Sequence, residues 1–234
     1  MYAEAQDVNA EIRMRNWISY AVGGLVVITV AITCIVLYRV FMVSPLLGVP
    51  ITRVNRWRAY ALSGERLYGS PNAPVTITEF SDLQCPFCRA LSAQLQVMEA
   101  RRGDDIRVIF RNYPLQIHQQ ARRAALGGIC AALFGAFPKY HDAVFKGQDS
   151  LDVLSVVDFA RRAGVDDTTS FITCVNGSEP AEILRRDTLA AHDLHVAVTP
   201  TYLVNEYLVQ SSLTYSLLDS LVTIAKQKAE KGTR

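Results

Sequence analysis

The 234-residue sequence predicts an α/β domain with a helical insertion, layered around one sheet and preceded by one N-terminal transmembrane helix. Three observations indicate this fold class. Residues 17–38 have no charged side chain, a strand–helix–strand pattern runs from residue 74 to residue 111, and two short strand patterns follow a long helical stretch. The composition agrees, because 50% of the residues are hydrophobic and 20% are charged, as in a folded chain.

The apolar segment 17–38 is the first element and is long enough to cross a membrane. As a helix it would extend about 33 Å, which spans the hydrocarbon core of a bilayer. A cleaved signal peptide is the alternative, but the segment is longer than a signal peptide's apolar run, follows a polar tail of residues 1–16, and lacks a small-residue cleavage site. An uncleaved anchor is therefore predicted. Arginines lie on both sides of the segment, so their count does not place the N-terminus in the cytoplasm.

The chain after the anchor is predicted to contain a linker and then the folded domain. Residues 39–72 have several prolines and glycines and no sustained period, which indicates a linker, and the domain occupies residues 73–230. Alternating β-branched and aromatic residues from Pro74 to Ser81 predict a strand. A helix from Pro86 to Arg102 and a second strand from Ile106 to Arg111 follow, and a right-handed crossover makes the two strands parallel.

Residues 115–195 are almost wholly helical in pattern and form the predicted insertion. The predicted helices of this insertion are 119–134, 139–145, 151–163, 168–175 and 180–195. Two short strands, 201–205 and 207–210, then predict a hairpin, and residues 213–229 predict a closing helix.

The charge pattern argues against binding of nucleic acid. The formal net charge is only +2, and the arginine doublets are scattered next to acidic residues instead of forming one basic face. No nucleic-acid partner is therefore expected.

A Cys-x-x-Cys motif, Cys85-Pro86-Phe87-Cys88, lies between the first predicted strand and its helix. The first sulfur would face the free N–H groups and the positive end of the helix dipole, which stabilise a thiolate. Pro86 suits the first helical turn, where its missing N–H costs nothing. Cys88 lies one turn further and can attack a mixed disulfide formed on Cys85. The motif is therefore suited to thiol–disulfide exchange.

A zinc site is the alternative for the same motif. Its other two ligands would come from Cys130, Cys174, His118 and His141. Structural zinc usually takes its second ligand pair at short spacing, whereas these residues are single and spread along predicted helices. No metal site is therefore predicted. The chain has five cysteines, one of them in the apolar segment, and the other four suit two pairs that spacing alone does not identify.

Pro200 lies just before the predicted hairpin, in the segment Ala197-Val-Thr-Pro-Thr201. A cis peptide bond here, opposite the Cys-x-x-Cys motif, would present main-chain groups to a substrate chain. From spacing alone a trans proline is more common, since only about 5–6% of X–Pro bonds in folded proteins are cis.

The runs Glu79–Cys88 and Val198–Asn205 resemble the DsbA-like branch of the thioredoxin superfamily, and the similarity covers about residues 69–226. This resemblance implies a thioredoxin-like fold with an inserted helical domain, and a redox-active disulfide with no further cofactor. The catalytic residues that it implies are Cys85, Cys88, Glu79, Thr199 and Pro200. The residues that it places against the substrate are Pro86, Phe87, Val198 and Thr199.

The family pattern also implies a role for each of these groups. Cys85 is the attacking thiol and Cys88 the resolving thiol, with Thr199-Pro200 as a cis-proline loop beside them. Glu79, six residues before Cys85, matches the family's buried acid, which would accept the proton of Cys88.

Two further features are compared with the family. The segments Ala124–Cys130 and Phe171–Cys174 are similar to segments whose cysteines form a structural disulfide, which implies a Cys130–Cys174 bond; two separate buried thiols are the alternative. Phe87 stands where strongly oxidising members have histidine, so a less oxidising protein is expected.

The resemblance implies a disulfide-forming oxidase that acts on thiol-containing envelope or secreted proteins. Because disulfides persist in oxidising compartments, we expect a single-pass protein of a bacterial inner membrane with its C-terminal domain in the periplasm or another extracytoplasmic space. A DsbB-like or other quinone-linked membrane protein is the expected redox partner. The alternatives are a reductase or isomerase kept reduced by a membrane electron donor, and a membrane-tethered chaperone with only structural disulfides.

Overall fold

The computed structural model describes residues 17, 19–37, 49–61 and 64–232. The chain divides into two compact units, one up to residue 47 and one from residue 48 onward. In the first unit, helix α1 spans Ser19–Leu37, has a mean hydropathy of 2.5 over its most apolar window, and is long and apolar enough to cross a membrane. The hydroxyl groups of Thr29 and Thr33 donate to the carbonyl oxygens of Val26 and Thr29, so they keep partners in an apolar surrounding.

A mixed sheet organises the second unit, in the order β1-β6-β5-β3-β4-β2. Its strands are β1 (Ile51–Arg53), β2 (Glu65–Gly69), β3 (Val75–Ser81), β4 (Ile106–Asn112), β5 (Thr201–Val204) and β6 (Tyr207–Val209). β3 and β4 are parallel, as predicted, and the other neighbouring strands are antiparallel. Every residue of β3 is buried, because helices cover both faces of the centre of the sheet.

The remaining helices pack around this sheet or form the insertion. They are α2 (Arg58–Ala61), α3 (Pro86–Arg102), α4 (Ala121–Leu133), α5 (Phe137–Lys146), α6 (Val156–Arg162), α7 (Thr168–Val175), α8 (Ser178–Asp193) and α9 (Tyr215–Gly232). A short 3₁₀ turn, Gln148–Ser150, lies between α5 and α6. The helices α4 to α8 lie between β4 and β5 in the chain, which confirms the predicted α/β fold with a helical insertion.

Two segments of the predicted linker 39–72 form strands, β1 (Ile51–Arg53) and β2 (Glu65–Gly69). β1 pairs with β6 at one edge of the sheet and β2 pairs with β4 at the other. A β-bulge between Arg66 and Tyr68 interrupts the alternation of β2, and β1 has only three residues, so neither strand shows a sustained period in the sequence. The sheet therefore begins well before residue 73.

The predicted helix 151–163 begins later than expected. Ser155 starts α6 with a capping box, in which the Ser155 hydroxyl accepts the Asp158 N–H at 3.3 Å and the Asp158 carboxylate accepts the Ser155 N–H at 2.9 Å. A serine in this position satisfies otherwise free N–H groups of a first turn. Residues 151–154 form turns instead of helix.

Two connections hold the insertion together and against the sheet. Cys130 of α4 and Cys174 of α7 form a disulfide, the pairing that the family resemblance implied. Arg111 of β4 and Asp187 of α8 form a buried ion pair with an Nε–Oδ1 distance of 2.9 Å, and Asp187 also accepts the N–H of Asn112 at 2.9 Å. A buried charge needs such partners, so this pair fixes α8 against the end of β4.

Candidate active site

The Cys-x-x-Cys motif lies at the start of α3, directly after β3. Cys85 has extended main-chain angles and occupies the N-cap position, and Pro86 begins the helix. The Cys85 N–H donates to the carbonyl oxygen of Asp82 at 3.0 Å, which makes a tight turn between the strand and the helix. Local geometry therefore places the Cys85 sulfur at the helix N-terminus, where the free N–H groups favour a thiolate.

Both cysteines of the motif are free thiols in this structure, and both are buried. The Cys85 thiol contacts the Thr199 carbonyl oxygen at 3.6 Å. Cys88 is completely buried, and its sulfur accepts the N–H of Asp82 at 3.4 Å. The structure thus brings Cys85, Cys88 and Thr199 together, although Thr199 lies 114 residues after Cys85 in the sequence.

The pKa values of the two thiols are shifted in opposite directions. A hydrogen bond from the Cys88 thiol lowers the pKa of Cys85 to about 5, with further contributions from Thr199 and from the N–H groups of Phe87 and Cys88, against the cost of desolvation. Burial, the hydrogen bond to Cys85 and the charge of Glu79 raise the pKa of Cys88 far above its ordinary value. Cys85 is therefore the thiolate at neutral pH and Cys88 holds its proton.

Glu79 lies in β3, and its side chain is completely buried. Neither carboxylate oxygen has a hydrogen-bond partner in the described part of the structure. The pKa of this carboxyl is raised to about 7, chiefly by burial and also by the charge of Cys85, against the opposing effect of the nearby Ser81. A carboxyl with this pKa can hold or release a proton near neutral pH.

The Thr199–Pro200 peptide bond is cis, and it precedes β5, which pairs with β3. This pairing brings the loop beside the motif. Two apolar side chains are exposed at the site: Phe87, between the cysteines, is 62% exposed, and Val198 is 45% exposed. Thr199 is buried beside Cys85.

Asp82 is a further residue of the site, and no sequence pattern above predicts its role. It lies three residues before Cys85, it is buried, and its carboxylate accepts from His118 Nδ1 at 2.7 Å. The acid in the turn before the motif is visible in the sequence, but its partner is 36 residues away. Among the sequence-based hypotheses above, His118 appears only as a possible zinc ligand.

The other zinc candidates are occupied elsewhere. Cys130 and Cys174 are bonded to each other, and His141 is buried among aromatic rings with its Nδ1 2.9 Å from Asp142. Within residues 17, 19–37, 49–61 and 64–232, no group of three or more His, Cys, Asp or Glu side chains is arranged to hold a metal ion. The arrangement at Cys85 is suited to thiol–disulfide exchange.

Comparison of this chain with known proteins identifies the family to which it belongs. The thioredoxin family model matches residues 62–223. Among curated proteins, the Na⁺/H⁺ antiporter NhaA 1 of Mycolicibacterium gilvum is 31% identical over 143 residues, 60% of this chain and 23% of that protein. The antiporter NhaA of Herminiimonas arsenicoxydans is 26% identical over 170 residues, 73% of this chain and 26% of that protein. The chain spans about a quarter of the length of these curated relatives.

Solved structures share the fold. A thioredoxin-like oxidoreductase from Silicibacter pomeroyi has a TM-score of 0.63 and 24% identity, covering 74% of this chain and 99% of that one. BdbD from Bacillus subtilis has a TM-score of 0.61 and 19% identity, covering 78% and 95%. The thiol-disulfide exchange protein alpha-DsbA2 from Wolbachia pipientis has a TM-score of 0.59 and 18% identity, covering 72% and 91%. With its Cys-x-x-Cys site at the start of α3, the chain belongs to the thioredoxin family.

Proposed function

We propose that this protein is a disulfide-forming oxidase, anchored in the membrane, that acts on thiol-containing envelope or secreted proteins. The observation that carries the proposal is the stabilised Cys85 thiolate, with a pKa of about 5. A stabilised thiolate favours the reduced pair, and a pair whose reduced form is stable is a good oxidant. The lowered pKa of Cys85 is of the kind that activates the first thiol of a Cys-x-x-Cys pair, and it supports an oxidant.

The reaction proceeds in two exchange steps. A substrate thiolate attacks the Cys85 sulfur of the Cys85–Cys88 disulfide; a substrate–Cys85 bond forms, the Cys85–Cys88 bond breaks, and its electron pair goes to Cys88, which takes up a proton. A second substrate thiolate then attacks the substrate sulfur of this mixed disulfide, and Cys85 leaves as a thiolate. The substrate loses two electrons and gains a disulfide, while the pair becomes a dithiol.

Glu79 is the proton carrier in this proposal. Its carboxyl pKa of about 7 lets it give a proton to Cys88 when that sulfur leaves, and accept it when the pair is reoxidised. Because Cys88 is buried and its pKa is strongly raised, a neighbouring carboxyl that carries its proton would speed the exchange.

Exposed apolar side chains around the motif support a protein substrate. Phe87 lies between the cysteines, and Val198 precedes the Thr199–Pro200 bond that lies beside them. Apolar side chains exposed together mark a binding surface for another chain. An unfolded substrate presents such side chains along with its thiols.

The proposed location is a bacterial inner membrane, with the C-terminal unit outside the cytoplasm. Helix α1 supports a single span, and the curated relatives named above are antiporters in which a similar segment makes up about a quarter of the chain. Reoxidation needs an electron acceptor, and we propose a quinone-linked membrane protein of the DsbB type, which removes two electrons from the dithiol.

The test is the equilibrium reduction potential of the full chain in detergent, titrated with glutathione and with Cys85→Ser as the control. A value closer to about −120 mV than to about −270 mV supports the oxidase, and a value near or below about −270 mV favours the reductase or isomerase alternative. Absence of any titration at this pair would contradict both, and unfolded-chain holding that survives Cys85→Ser would favour the chaperone alternative.

A further inference from the structure

Asp82 contacts both cysteines of the redox pair through its main chain. Its carbonyl oxygen accepts the N–H of Cys85 at 3.0 Å, and its own N–H donates to the Cys88 sulfur at 3.4 Å. Any movement of this residue therefore changes the hydrogen bonding of both cysteines.

The carboxylate of Asp82 fixes the position of this main chain. It is completely shielded from solvent and accepts three hydrogen bonds: the N–H of Gln84 at 2.7 Å, the N–H of Leu115 at 2.9 Å and His118 Nδ1 at 2.7 Å. Hydrogen bonds to an ionised carboxylate are short and strong, so these donors define the turn before the motif.

His118 is itself held in place from the other side. The main-chain N–H of His118 donates to the Leu115 carbonyl oxygen at 3.1 Å. Its main-chain carbonyl oxygen accepts the N–H of Ala121, the first residue of α4, at 3.2 Å. A parallel link joins the same two segments, because the Gln120 N–H donates to the Gln84 side chain at 2.7 Å. The imidazole thus connects a rigid turn of the insertion to Asp82.

We propose that His118 is a positioning residue that, through the Asp82 carboxylate, holds the Asp82 N–H against the Cys88 sulfur. This inference rests on the proposed exchange reaction. When the Cys85–Cys88 bond breaks, its electron pair goes to Cys88, and the N–H stabilises the charge on that sulfur. Hydrogen bonds to a charged group are stronger than those between neutral partners, so the effect falls on the leaving sulfur more than on the disulfide.

A matched pair of substitutions isolates the hydrogen bond. In His118→Asn the amide nitrogen can take the place of Nδ1, whereas in His118→Leu a side chain of the same shape has no donor. His118→Ala, whose side chain also has no donor, repeats the test if the leucine variant does not fold. Asp167→Ala is the stability control, because it removes the N-cap of α7 and Asp167 has no contact with Asp82, Cys85 or Cys88.

The measurement is the rate at which glutathione opens the oxidised pair in the full chain, in detergent, with acid quenching, alkylation and mass analysis of the peptide that contains Cys85 and Cys88. We expect His118→Leu and His118→Ala to open about three- to tenfold more slowly, as the partial loss of a charge-assisted hydrogen bond implies. His118→Asn and Asp167→Ala should stay within about twofold of the unsubstituted chain.

Three results would overturn the inference: an unchanged rate in the variants without a donor, an equal slowing in His118→Asn, or an equal slowing in Asp167→Ala. An unchanged rate would show that His118 is not coupled to Cys88. Equal slowing in His118→Asn would show that the hydrogen bond is not the cause, and equal slowing in Asp167→Ala would show that the slower rate comes from lost stability alone. If the unsubstituted chain itself does not open with glutathione, the proposed function fails as well, so the two failures can be told apart.

Discussion

Replacement of Glu79 by Gln tests whether its carboxyl is held neutral by burial. The side chain is 0% exposed, so solvent screening does not weaken the effect, and burial raises its pKa from an ordinary 4.5 to about 7. At about 1.36 kcal/mol for each pKa unit, this difference amounts to about 3 kcal/mol of unfolding free energy.

The sign follows from where the proton is bound. Because the folded pKa is the higher one, the folded protein keeps a proton that the unfolded chain has lost. The associated stability is therefore complete below about pH 4.5 and falls as the pH rises through about 7. Gln cannot ionise, so the unfolding free energy of Glu79→Gln should lack this fall.

Urea unfolding of the full chain in a mild detergent, at a series of pH values from about 4.5 to about 8.5, measures the effect. The difference in unfolding free energy between Glu79→Gln and the unsubstituted protein should rise by about 3 kcal/mol, in favour of the variant, as the pH increases across this range. Glu179→Gln, which replaces an exposed carboxyl in the first turn of α8, is the control and should show no such trend. A difference between Glu79→Gln and the parent that is constant with pH would refute the explanation by burial.

Three further predictions concern stability. Replacement of both Cys130 and Cys174 by Ala should lower the unfolding free energy by roughly 4 kcal/mol, because the bond closes a loop with a sequence separation of 44; a loss below about 1 kcal/mol in urea unfolding would contradict it. Asp187→Ala should cost about 3–5 kcal/mol because it leaves the Arg111 charge buried without its carboxylate, and an unchanged thermal midpoint would disprove this. Burial lowers the pKa of His141, so the stability that depends on its neutral form is lost as the pH falls below about 6.5. The unfolding free energy of His141→Phe should therefore fall less than that of the unsubstituted protein between about pH 7 and pH 5. Parallel plots of unfolding free energy against pH for the two proteins would exclude the effect.

Local sequence patterns predict much of the fold. The strand that became β3, the helix Pro86–Arg102 and the helix Thr168–Val175 were predicted at or within one residue of their observed limits, because their periods and end signals lie within a few residues of each other. Helix α6 was misjudged because its start depends on a capping box at Ser155 that was not considered.

The redox motif could also be identified locally. Cys85 and Cys88 are placed by one turn of helix, and the acidity of Cys85 follows from its position at the start of α3. The contribution of Thr199 and the burial of Glu79 depended on the family resemblance, since nothing within a few residues of either shows that β5 lies against β3.

The sequence by itself determined the class of elements, the helix-start thiol chemistry and the apolar segment, because these depend on neighbours within one or two turns. Only the tertiary structure decided that β1 and β2 extend the sheet, that Arg111 pairs with Asp187, and that His118 reaches Asp82. Those contacts join residues far apart in the chain, and their energies come from packing and from the exclusion of water. A pattern of neighbouring residues does not encode which distant group will fill the space beside a buried charge.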